Sequence, residues 1–170
     1  MIDQDLLFLG LLMNGPKHGY EIKRHIEQEL TPYISLQLKS IYYPLTRMEH
    51  EGLISKEVGR EGKWPEKFIY RITLKGKKKF AHLITKSLLS VERPFFQLDL
   101  SLYFLQYVDE AIAKRRLKGR LLLLKKVRSE LEHLSLKLKT SQKILPLIIQ
   151  HNLDLVDAEI RSSLNLINQL

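Results

Sequence analysis

Cysteine is absent from this chain of 170 residues. That removes disulfide frameworks, thiolate metal sites and cysteine nucleophiles together, and makes a cytoplasmic setting the default expectation. No apolar run is long enough to span a bilayer. The stretch MIDQDLLFLGLLMNG is interrupted by Gly10 and carries Asp3 and Asp5 where a signal peptide needs positive charge. A soluble, unprocessed protein without a membrane partner is expected. Acidic side chains are the scarcer sign, 19 against 28 Lys and Arg, for a formal charge of +9 and a pI near 9.7. That balance favours an anionic partner, with nucleic acid ahead of membrane.

Catalytic constellations are also missing. There is no glycine-rich phosphate loop, nucleophile elbow or paired-carboxylate pattern, so neither an enzyme nor a bound cofactor is expected. His18, Glu21 and His25 fall on adjacent helical turns, but their spacing matches no metal motif and reads better as a solvated helix face. No metal is expected.

What is present is a sequence of periodicities. Leu6 to Met13 is a short, nearly all-apolar helix that Asp5 can cap and that Asn14, Gly15 and Pro16 end. A second helix is expected over His18 to Glu29, with Tyr20, Ile22, Ile26 and Leu30 as its apolar positions and Thr31 and Pro32 closing it. A third starts at about Lys39 or Ser40. Pro44 is tolerable only within its first turn, Ile41, Leu45, Met48 and Leu53 form its core stripe, and Gly52 stops it. The period then changes to two. Ile54, Lys56 and Val58 alternate with polar neighbours, Gly59 to Pro65 is a basic loop, and Phe68, Tyr70 and Ile72 alternate again. Thr73 caps a fourth helix through Phe80, Leu83 and Ile84.

Three helices, a hairpin and a helix make the order of a winged helix-turn-helix, whose third helix enters the DNA major groove while a two-stranded wing lies along the backbone or minor groove. Charge follows the same division. Residues 1 to 30 carry three basic and five acidic side chains, whereas residues 31 to 90 carry twelve and five. Opposite the core stripe lie Lys39, Ser40, Tyr42, Tyr43, Thr46, Arg47 and His50. Cations there neutralise phosphates or pair with guanine, and tyrosines donate to phosphate or lay a ring on a sugar or base. In the wing, Arg60, Lys63 and Lys67 surround Trp64, which either inserts at a groove edge or packs under the hairpin. Lys75, Lys77, Lys78 and Lys79 read as a solvated helix start rather than a phosphate clamp.

Three blocks carry a family likeness: LLFLGLLMNGPKHGYEIKRHIE, SIYYPLTRMEHEGLI and FIYRITLKGKKKF. In this order they resemble the PadR family of bacterial transcriptional regulators, with Ile41 and Tyr42 at its Ile-Tyr pair, Arg47 at a frequent basic position, and Glu49, Gly52 and Leu53 at its helix-ending pattern. Lys39 stands where a small residue is usual, and Pro44 sits one place later than the proline of many members. Operator sequence therefore does not transfer. The resemblance implies a repressor, and its longer members, the Vir-type subgroup, carry a C-terminal helical dimerisation domain.

The pattern breaks near Ser90 to Pro94, which predicts a DNA-binding domain over 1–90 and an α-helical dimerisation domain over 91–170. Phe95, Phe96, Tyr103, Phe104 and Tyr107 gather between the two as interdomain core or as the seat of a small apolar effector. Asp109 caps a long helix reaching about Thr140, with Leu117, Leu124, Leu131 and Leu138 every seven residues and Val127 and Leu134 between them. A last helix from Leu145 shows Ile149, Leu153, Val156, Ile160, Leu164 and Ile167 at helical spacing. Such seams call for a second chain, making a mostly α homodimer that presents two reading helices roughly 34 Å apart to a palindromic duplex site. Eleven cations over residues 114 to 143 form either a solvated helix face or an extension of the DNA footprint. The competing class is a winged-helix adaptor that binds protein and has no DNA affinity.

Overall fold

The computed structural model describes residues 3–34, 40–59, 67–91, 97–139 and 143–170, the side chain at position 67 also lying outside that description. The chain divides into two compact units, residues 1–92 and 93–170.

The first unit opens with α1, Gln4–Met13. Its cap is Asp3 rather than the expected Asp5: the Asp3 carboxylate accepts from the backbone N–H groups of Asp5 at 3.0 Å and Leu6 at 3.1 Å. Two acidic residues two places apart both suit a cap by sequence. Packing decides between them, because Asp5 is buried. Gly15 takes φ +113°, a left-handed conformation that favours glycine, and turns the chain into a two-residue strand β1, Lys17–His18.

Helix α2 follows as Gly19–His25 and keeps α pitch for less than its expected length, since Ile26–Leu30 is π-helical. The wider turn has a local closing bond, the Thr31 N–H and hydroxyl both reaching the Ile26 carbonyl at 2.8 Å. Helix α3 is Tyr42–His50. Pro44 lies in its first turn as required, the Ser40 hydroxyl accepts from the Tyr42 N–H at 3.2 Å, and Gly52 at φ +70° ends the segment.

Strands β2, Ile54–Gly59, and β3, Lys67–Ile72, pair antiparallel from Ile54↔Ile72 to Gly59↔Lys67. The sheet has three strands rather than two, in the order β1-β3-β2, because Lys17 and His18 pair with Tyr70 and Ile69. Thr73 caps α4, Leu74–Leu89, its hydroxyl accepting from the Gly76 N–H at 3.1 Å. Gly76 has no room for a side chain: a Cβ there would stand 2.1 Å from the Leu53 carbonyl oxygen.

One core holds these elements. Phe8, Leu9, Ile22, Leu45 and Met48 are completely buried, with Leu12, Ile26, Ile41, Leu53, Ile54 and Tyr70 around them. Each large apolar side chain so buried contributes about 1.5–3 kcal/mol. The all-apolar character of α1 is thereby explained, since it packs on α3, α4 and β3 at once.

The second unit contains α5, Gln97–Tyr103, a 3₁₀ turn Leu105–Tyr107, and the long helices α6, Glu110–Leu136, and α7, Leu145–Gln169. Asp109 caps α6 by accepting from the Ile112 N–H at 3.1 Å, and Pro146 falls in the first turn of α7. The two long helices pack on each other within the chain, tied by Arg120 to Glu159 and by Arg128 to Asp157 at 2.8 Å.

Candidate nucleic-acid interface

Helix α3 has two faces of opposite character. Ile41, Pro44, Leu45 and Met48 are buried, whereas Tyr42 and Tyr43 are 61% and 73% exposed and Ser40, Thr46 and His50 are also on the outside. Two neighbouring tyrosines on the open face of a helix offer a partner both flat apolar rings and hydroxyls. The Tyr42 ring lies over the start of α2, 3.5 Å from where a Gly19 side chain would begin. Next to it the Tyr70 hydroxyl is raised above its ordinary pKa, first by burial and then by the nearby Glu49 and Tyr42. Tyr42 and Tyr70 thus both border the start of α2.

On the wing, Lys56 sets its ammonium 3.8 Å from the centre of the Phe68 ring, so its charge is exposed yet held in place. His18 stacks on Tyr20 at 5.4 Å between ring centroids, and its Nδ1 lies 3.3 Å from the Phe68 carbonyl. Neither Lys56 nor the His18–Tyr20 pair stands out in the sequence as part of the surface. The lysine alternates in a strand like any other, and the stacking requires the unexpected strand β1. Lys39, Arg60, Lys63 and Trp64, expected on this surface, lie outside the described residues, as does the side chain of Lys67.

Arg47, expected on or beside the DNA-facing side, is engaged within the protein. Its guanidinium bonds to Asp5 of α1 and, at 2.8 Å, to Glu51 at the end of its own helix. Lys79 of α4 completes a ring, 2.6 Å from Asp5 and 3.4 Å from Glu51, and Lys75 donates to the Glu51 carbonyl at 2.7 Å. Lys75 and Lys79 are therefore engaged with this ring rather than merely solvated. Burial works to raise the Asp5 pKa, but the bonds from Arg47 and Lys79 outweigh it and hold the carboxyl below the usual range. The same bonds hold Arg47 and Lys79 above theirs. A lone carboxylate in an otherwise apolar helix is the available sequence signal that a buried partner exists.

The group His18, Glu21 and His25 is dispersed over other tasks. Glu21 accepts from the His18 N–H at 2.7 Å as a helix cap, and His25 Nδ1 lies 3.1 Å from Glu29. Among the described residues no three His, Asp or Glu side chains are placed to hold a metal, and no helix is long and apolar enough to cross a membrane.

In the second unit the expected seam is occupied within the chain. Leu117 and Ile149 are buried, and Leu124, Leu131, Leu153, Val156 and Ile160 half-buried, along the faces that α6 and α7 turn to each other. Leu138 falls beyond the end of α6, and Val127 and Leu164 lie off the seam at 43% and 41% exposure. Outside that seam Leu122, Leu123, Leu136, Leu147 and Leu155 are all more than half exposed. Tyr103, Phe104 and Tyr107 form a chain of ring contacts, 5.0 Å and 6.5 Å between centroids, on the surface of this unit. Phe95 and Phe96 lie outside the described residues.

Comparison with known proteins adds to this geometry. Residues 8–82 match the sequence profile of the transcriptional regulator PadR-like family. No curated protein matches the chain at a significant level. Among solved structures, PadR of Bacillus subtilis in complex with operator DNA superposes with a TM-score of 0.79 at 23% identity, covering 97% of both chains. The same Bacillus subtilis protein in complex with p-coumaric acid gives 0.76 at 22%, over 97% of this chain and 96% of that one. The Vibrio cholerae virulence activator AphA gives 0.76 at 14% identity, over 98% and 97%. These likenesses extend over both units and establish a shared fold.

Proposed function

Since its residues 8–82 place this chain in the PadR-like family of transcriptional regulators, we propose that it binds duplex DNA with α3 in the major groove and the β2–β3 wing on the backbone or minor groove. The observation that carries this reading is the two-faced helix α3: a buried apolar stripe fixes its position while Ser40, Tyr42, Tyr43 and Thr46 face outward. The positive charge of residues 31 to 90 provides attraction to phosphate independent of sequence. The Bacillus subtilis structure with operator DNA supports the same use of the fold.

The protein acts as a homodimer, held through the second unit, on a palindromic promoter site in the cytoplasm. Support comes from the apolar side chains that α6 and α7 leave exposed after packing on each other. Its action is repression, in which the bound dimer excludes polymerase, and a small apolar effector taken near Tyr103, Phe104 and Tyr107 relieves it. The p-coumaric acid complex of the Bacillus subtilis protein supports a small-molecule effector. The sign of regulation rests on family resemblance alone, since the similar fold of AphA belongs to an activator.

Selection of bound duplexes from a random pool by the purified chain tests this reading. Enrichment of an inverted repeat with half-sites about one helical turn apart is expected. Failure to enrich any duplex at low salt would overturn it.

A further inference from the structure

Arg47 lies on the helix proposed to read DNA, yet its guanidinium is turned to the protein. Asp5 receives Arg47 from α3 and Lys79 from α4, and Glu51 receives the same two cations from the end of α3. Two carboxylates and two cations thus close a ring across three helices. The Asp5 side chain is only 12% exposed, and those of Arg47 and Lys79 about a third. The planar fork of an arginine can serve both carboxylates at once, which the point charge of a lysine at this position would do less well.

The apolar stripe of α3 sets which face is buried, but non-directional contacts among Leu, Met and Ile side chains leave the fine setting of its roll about its own axis to other bonds. Directional bonds at the far end of the helix fix that roll, and the roll sets where Tyr42, Tyr43 and Thr46 point. We propose that Arg47 is a positioning residue for DNA recognition: with Asp5, Glu51 and Lys79 it orients α3 and does not itself contact nucleic acid. This rests on α3 being the reading helix.

The two roles differ in sign, which makes them separable. Asp5→Asn and Glu51→Gln each remove a negative charge, so electrostatics alone predicts tighter binding to duplex DNA. A positioning role predicts weaker binding to the selected site, by about tenfold for a shift of about 1.4 kcal/mol. Were Arg47 to neutralise a phosphate, Arg47→Met would lower the slope of log affinity against log salt by roughly 0.9. Removing a positioning bond leaves that slope unchanged on nonspecific duplex.

The experiment is equilibrium binding of the full chain and of Arg47→Met, Asp5→Asn, Glu51→Gln and the Arg47→Met/Asp5→Asn double variant, to the selected site and to nonspecific duplex, over a salt series. Weaker specific binding by all three single variants, unchanged nonspecific slopes, and a double variant no worse than the poorer single one are expected. Glu51 is at the exposed edge of the ring, so its variant keeps the comparison valid should Asp5→Asn fail to fold, as judged by circular dichroism. Equal or tighter specific binding by Glu51→Gln, or a reduced slope for Arg47→Met, would overturn the proposal while leaving the DNA-binding reading intact. Absence of any duplex binding by the unaltered chain would overturn that reading and this proposal with it.

Discussion

Tyr43 and Asp5 show how differently exposure bears on single residues. Tyr43 is 73% exposed on an anchored helix, so truncating it removes little packing. Tyr43→Ala should weaken operator binding by about tenfold or more, as expected for the loss of one hydrogen bond to a charged phosphate of ~1.5–3 kcal/mol, while the melting temperature moves by no more than a degree or two. Fluorescence anisotropy and a thermal melt on the same sample check both halves. Asp5 is the reverse case, buried and bonded to two cations. Its folded pKa lies below the unfolded value of ~3.9, so its stabilisation is present above that pH and lost as pH falls through the folded pKa. Asp5→Asn should cost about 1–3 kcal/mol near neutral pH, discounted for the partial exposure of its partners. In urea titrations that difference from the unaltered chain should shrink below about pH 4; a constant difference down to about pH 2 would show that the carboxylate charge is not what stabilises. Gly76→Ala should also be severe, because the new Cβ meets the Leu53 carbonyl at 2.1 Å and either the α4 start or the β2 entry must shift.

Elements are legible in the sequence where a local pattern decides them. Pro44 and Gly52 bracket α3, alternation places β2 and β3, and Thr73 and Asp109 mark the starts of α4 and α6. Strand β1 is not legible, since two residues carry no period and its existence depends on Tyr70 and Ile69 some fifty positions away. The same distance hides the role of Arg47, whose partner Asp5 sits on another helix. The π-helical end of α2, where Thr31 closes onto Ile26, has no periodic signal of its own in the sequence. The heptad leucines of α6 suggest an intermolecular seam, but a heptad repeat states only that a partner helix exists. Here α7 is such a partner, and Leu122, Leu123, Leu136, Leu147 and Leu155 remain exposed outside that seam, where the proposed dimer would cover them. Leu117→Ala should therefore destabilise the chain by about 2–5 kcal/mol whatever its oligomeric state, as a urea titration would read. Leu123→Asp, by contrast, should shift sedimentation equilibrium toward monomer with the helical signal retained.

For the whole molecule, charge and architecture point the same way. A net +9 is concentrated beyond residue 30, in the α3–wing–α4 region and again along α6. Several α6 cations are engaged within the second unit, Lys114 with Glu110, Arg120 with Glu159 and Arg128 with Glu132 and Asp157. Arg128 is held above its ordinary pKa first by the bond to Asp157 and then by that to Glu132. Two of the eleven cations over residues 114 to 143, Arg120 and Arg128, thus tie α6 to α7. The most direct measurement is the affinity of the full chain for its selected duplex between about 50 and 200 mM salt. With roughly six to ten phosphates neutralised by a dimer, affinity should fall by roughly 10³ to 10⁵ over that range. A flat salt dependence, or no duplex binding at the low end, would contradict the assignment of α3 and the wing to DNA.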